Sequence, residues 1–174
     1  MNRILLSLCA LLALANPGVN PLQVTQNYPR REVPVTPLAP TMSGHRTSFT
    51  KGPVLDQLRV VVRDRETWED VWKRINPAPD PPPLPEIDFT REMLVVAAMG
   101  SRPTTGYRII IDKAYLYQSY PRLEIVIRSI DNTKCPGLGQ FDVMTAPIDV
   151  VRVPRTEYPV VLREIEGADC PKLN

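Results

Sequence analysis

The stretch that most constrains the fold runs from Phe89 to Ile111. Met93-Leu94-Val95-Val96-Ala97-Ala98-Met99 is an unbroken apolar run. Gly100-Ser101-Arg102-Pro103-Thr104-Thr105-Gly106-Tyr107 follows, and then Arg108-Ile109-Ile110-Ile111. An apolar run, a cluster of turn residues and a second apolar run predict strand, tight connection and strand, so the pattern places a hairpin at the centre of the fold. Pro103 presets φ near −65° and has no N–H for a ladder, while Gly106 is free to take φ > 0. Both push the two threonines out as a defined bend.

Helical periodicity is clear in one place. Trp68, Val71, Trp72 and Ile75 fall at i, i+3, i+4 and i+7, with Glu66, Glu69, Asp70, Lys73 and Arg74 on the other faces and Asp64 placed to cap the N-terminus. Such a stripe is a core face, with the tryptophans as its anchors. Asn76-Pro77 ends the helix, and Pro79 to Pro85 reads as a rigid polyproline connector. Asp88 is placed as a turn or cap residue, a structural role.

Strand patterns recur elsewhere. Leu58–Arg63 is one, and His45–Thr50 a weaker one. Leu123, Ile125 and Ile127 alternate with Glu124 and Arg128, and Ile148–Pro154 and Tyr158–Ile165 follow a loop and the Phe141–Pro147 stretch. Repeated strands with one helix predict an α+β, mainly β domain, built from antiparallel sheet with one short amphipathic helix packed on it.

The N-terminus bears on compartment. Asn2-Arg3 followed by the apolar Ile4–Ala15 stretch, with Ala13-Leu14-Ala15 as the cleavage pattern, predicts a signal peptide over residues 1–15. The apolar run is too short for a membrane span, so no integral span is expected once the signal is removed. Cys9 as a lipoprotein cysteine is disfavoured by Leu8 before it. Residues 16–42 carry prolines every few positions without periodicity and read as a linker. The ordered domain is expected over residues 43–174. Removal of the signal leaves Cys135 and Cys170, an even pair that in an exported chain predicts a disulfide. Closing that loop would stabilise the fold by roughly 4 kcal/mol in the chain-entropy account.

Chemistry is sparse. His45 is the single histidine, which excludes a His-rich metal site, and no cofactor motif is present. A Cys135–His45 dyad would need a free thiol, against the disulfide expectation. Gly137-Leu138-Gly139 is too short to cradle a phosphate. A net charge of +2 excludes a nucleic-acid surface. The expectation is a non-enzyme, periplasmic or extracellular. The remaining feature is the turn, where Arg102, Pro103, Thr104, Thr105, Gly106 and Tyr107 offer a guanidinium, two hydroxyls and a ring on a braced bend, the make-up of a binding loop. The alternative is that Thr104 and Thr105 only satisfy the turn backbone while Tyr107 opens the next strand. Both readings stand on the sequence.

Four blocks in order, Thr67–Trp72, Ile87–Val96, Gly100–Ile109 and Thr145–Pro154, resemble the C-terminal domain of the protease complex subunit PrcB family. The resemblance spans roughly Arg59 to Pro154. It implies an exported bacterial, non-catalytic domain that associates with and stabilises a secreted protease, so that the expected partner is a protein, a protease. The family turn carries two glycines before its tyrosine, and this chain has Thr105-Gly106. Pro103–Tyr107 also resembles the first inhibitory loop of chagasin-type cysteine-protease inhibitors. There Gly137-Leu138-Gly139 could stand for a second loop, whereas Pro154–Tyr158 does not match the third. Protease inhibition through Pro103–Tyr107 is therefore the alternative function, and an envelope protein of another role a further one.

Overall fold

The computed structural model describes residues 29–38, 56–77 and 79–170. The expected signal peptide, Cys9, His45, the expected His45–Thr50 strand and the expected boundary at residue 43 lie outside the described residues. In chain order the elements are β1 (Arg30–Val33), β2 (Thr36–Pro37), β3 (Gln57–Val62), α1 (Arg65–Ile75), β4 (Glu92–Met99), β5 (Tyr107–Tyr117), β6 (Arg122–Asp131), a 3₁₀ turn (Asn132–Lys134), β7 (Ile148–Pro154) and β8 (Val160–Gly167). The strands form two four-stranded sheets, ordered β1-β5-β6-β8 and β2-β7-β4-β3. Every pairing is antiparallel except β6 with β8, which is parallel.

The apolar run of β4 explains the layering. Side chains alternate across a strand, so seven consecutive apolar residues supply two apolar faces. Met93, Val95, Ala97 and Met99 meet Ile109, Ile111, Leu123, Ile125 and Ile127 of the opposite sheet in one core. Leu94, Val96 and Ala98 meet Trp68, Val71, Trp72 and Ile75 of α1 in the other. Leu94, Val95 and Val96 are fully buried, and each contributes roughly 1.5–3 kcal/mol on burial. The result is sheet, sheet and helix in three layers, mainly β with one amphipathic helix on a sheet, as the periodicities predict.

The hairpin expectation is corrected. β4 pairs with β3 on one edge and β7 on the other, and β5 pairs with β1 and β6. Residues 100–106 therefore carry the chain from one sheet to the other. With both of its edges occupied, β4 has no place for β5 alongside, and β5 instead covers its face. Asp149 of β7 helps hold the two sheets in register. Buried at 2% exposure, it accepts the Ile111 N–H at 2.7 Å, beside the β5 irregularity between Ile111 and Lys113.

Asp64 caps α1 as expected, its carboxylate accepting the Thr67 N–H at 2.8 Å. The proline connector is fastened to this helix. The indole of Trp72 donates to the Pro82 carbonyl at 2.9 Å and that of Trp68 to the Pro85 carbonyl at 3.1 Å. Both tryptophans are core anchors whose polar edges are satisfied by a segment without ladder bonds of its own.

Part of the stretch read as linker enters the sheets. Arg30–Val33 pairs with β5, and Thr36–Pro37 pairs with β7. Prolines masked these strands, yet Pro37 sits on an edge, where its missing N–H costs no ladder bond.

Candidate functional site

The β4–β5 crossover lies at one end of the two sheets, beside the 3₁₀ turn and the long connection to β7. Its conformation is set by that connection. Arg102 and Thr145 exchange backbone hydrogen bonds of 2.7 and 2.8 Å, and the Thr145 hydroxyl donates to the Thr104 carbonyl at 2.9 Å. Thr105 N–H donates to the Phe141 carbonyl at 3.2 Å, and the Phe141 N–H donates back to the Thr105 hydroxyl at 3.1 Å. The Thr104 hydroxyl accepts the Gly106 N–H at 3.2 Å and lies 3.2 Å from the Gln140 amide oxygen, to which it donates.

Of the six turn residues, both threonines thus direct their hydroxyls into their own chain. Only Pro103 is exposed, and Gly106 is buried. Tyr107 is half-buried at the start of β5, packed against the inter-sheet core, with the Arg102 guanidinium 5.6 Å from its ring centre. The Arg102 Nε is buried without an acceptor.

The glycines divide their work differently from the expectation. Among the described residues positive φ occurs at Gly100 and Gly137, at 73° and 72°. Gly106 is required for space: a Cβ there would stand 2.6 Å from the Gln140 amide oxygen.

A groove of about 410 Å³ opens beside the turn, with Arg102 and Tyr107 in its wall. Its opposite side is an ion pair joining the edges of the two sheets. Arg59 of β3 grips Glu164 of β8 with two hydrogen bonds of 3.0 and 2.6 Å, and Ser129 donates to the same carboxylate. The Arg59 bonds foremost, helped by Ser129, hold the Glu164 carboxyl below its ordinary range. Asp131 is lowered chiefly by the Thr133 hydroxyl, and Lys134 lies 3.4 Å from it. Arg59 with Glu164 and Asp131 with Lys134 are therefore committed to one another, while Arg102 and Glu166 also line the groove.

Cys135 and Cys170 form a disulfide. Cys135 has no thiol to offer, so a Cys135–His45 dyad is excluded. The covalent link ties the segment after β8 to the 3₁₀ turn, where Asp169 bridges Arg108 at 2.6 Å and Arg128 at 2.7 Å. Among the described residues no group of three or more His, Cys, Asp or Glu could hold a metal ion. Likewise no helix is long and apolar enough to cross a membrane.

In the loop between the disulfide and β7 the sequence pointed to Gly137-Leu138-Gly139 and not to the apolar residues around it. Gln140 donates to the Asn132 carbonyl at 2.8 Å and seats the loop against the turn. Leu138, Phe141, Val143 and Met144 are nevertheless exposed. Four large apolar residues in a stretch too irregular for a strand were the available signal.

The end of the two-sheet scaffold thus carries a braced turn and, beside it, a loop of exposed apolar side chains. Residues 93–154 match the family model described as PrcB C-terminal. The resemblance to the PrcB family is thereby shown for this segment, which runs from β4 through β7 and contains both the crossover and the apolar loop. No curated protein and no solved structure matches the chain.

Proposed function

We propose that this is a non-catalytic protein-interaction domain that associates with, and stabilises, an exported or envelope protease, with the Arg102–Tyr107 turn in its contact surface. The observation that carries this reading is the match to the PrcB C-terminal family over residues 93–154, since that family's name denotes a subunit of a protease complex. The geometry agrees with it: the matched segment holds a turn whose backbone is fixed in advance, which lowers the ordering cost of binding. Export is supported by the signal-peptide pattern and by a disulfide, a bond that persists in oxidising compartments.

The test is affinity capture of residues 16–174 from an envelope extract, with identification of what co-purifies. A protease is the expected partner, and its activity and lifetime with and without the domain should show stabilisation. Dose-dependent inhibition would move the assignment to an inhibitor, and an empty capture would overturn the protease association.

A further inference from the structure

Phe141 combines a tied backbone with a free side chain. Its N–H is held by the Thr105 hydroxyl, and its carbonyl accepts both the Thr105 N–H at 3.2 Å and the Val143 N–H at 2.9 Å. The ring is 74% exposed, and Met144 beside it is 48% exposed. The loop is anchored on one side by the disulfide at Cys135 and on the other by the Arg102–Thr145 bridge. An exposed phenyl ring is unfavourable in water, and nothing in this anchoring demands one, because all of the bonds at residue 141 are made by its backbone.

We infer that Phe141 is the anchor by which the domain docks on its partner, a protein presenting an apolar pocket with a cationic side chain on its rim. The inference rests on the reading of this domain as a partner-binding module and identifies the contact within it. A rigid aromatic residue loses little conformational freedom on burial, and Phe, with Tyr, Trp, Met and Arg, is enriched in the buried core of protein interfaces. The rim follows from Asp142, which is exposed between Phe141 and Val143 and makes no hydrogen bond or ion pair among the described residues. A carboxylate beside the anchor calls for an opposite charge on the partner. The same carboxylate argues against a lipid surface, where loops that insert are flanked by Lys or Arg and where burying Asp142 would be costly.

The test places a photoreactive benzoyl-phenylalanine at position 141 of the full-length chain in its own cell envelope, with separate chains labelled at Pro103 in the turn and at Tyr120 at the opposite end of the sheets. The expected result is a cross-link from position 141 to another protein, mapped to an apolar pocket rimmed by Lys or Arg, and none from position 120. In the purified complex Phe141→Ser should weaken binding by about 30-fold or more, the range of an aromatic hot spot. Phe141→Tyr should retain binding, and the thermal transition of the serine variant alone should be unchanged. Cross-links from position 103 without any from 141 overturn the inference and leave partner binding intact. Cross-links from neither position overturn both. Attachment of position 141 to lipid, to a second copy or within its own chain also overturns it.

Discussion

β4 and the crossover that leaves it are adjacent in sequence and held by opposite means. From Met93 to Met99 every side chain is buried, and the strand is secured by apolar contact on both faces and by ladders on both edges. From Ser101 to Thr105 no side chain is fully buried, and the conformation depends on single hydrogen bonds to residues 140–145. The strand tolerates no polar group but has many contacts to share a loss. The crossover tolerates exposure but rests on a few single hydrogen bonds. The difference teaches where each property resides: stability in the strand, and a fixed surface shape at the end of the sheets.

The contrast is open to direct attack. Val95→Asp puts a carboxylate into the inter-sheet core, and a loss on the order of 4 kcal/mol or more is expected. Urea unfolding followed by the fluorescence of the two tryptophans, both buried on α1, should show it as a shifted midpoint or as no folded baseline. Replacing Cys135 and Cys170 together by serine should cost about 2–4 kcal/mol, with the largest rise in hydrogen exchange at residues 132–145. A uniform loss of protection across β4 and β6 would show that the covalent link supports the sheets rather than the loop.

Smaller changes probe the crossover itself. Gly106→Ala forces the Gln140 side chain away and should destabilise by roughly 1–2 kcal/mol, within the range of overpacking. Adding Gln140→Ala should recover part of this in a double-mutant cycle, and an additive pair would place the strain elsewhere. Thr104→Val removes the acceptor of the Gly106 N–H and should cost about 1 kcal/mol.

The smallest effect is in the clasp between the sheet edges. The folded Glu164 carboxyl titrates below its ordinary value because Arg59, and secondarily Ser129, bind the charged form. Its contribution is therefore present above the ordinary glutamate value of about 4.3 and is lost as pH falls through the lower folded value. Glu164→Gln should be less stable than the parent at neutral pH, and the gap should narrow on acidification below pH 4. A gap independent of pH would assign the role to packing.

Much of this fold was legible in advance, and particular residues show why. Trp68, Val71, Trp72 and Ile75 specify a helix face by spacing alone, and all four are buried. Cys135 and Cys170 are expected to be linked in an exported chain, and the two are bonded. The turn was legible as a special element, but not its function: hydroxyls that could have faced a ligand point instead at Gln140, Gly106 and Phe141. Phe141 was passed over because no period marks it, and β1 and β2 because their prolines resemble those of a linker.

The division has a single physical origin. Periodicity, capping and turn chemistry act between residues a few positions apart, so the sequence by itself determined the helix, the two-faced strand and the location of the bend. The choice of sheet for β4 and β5, the grip of Arg59 on Glu164 across 105 residues and the seating of Phe141 on Thr105 across 36 depend on segments that meet only when long loops close. Only the tertiary structure decided these contacts, because their formation requires the cores to be assembled first.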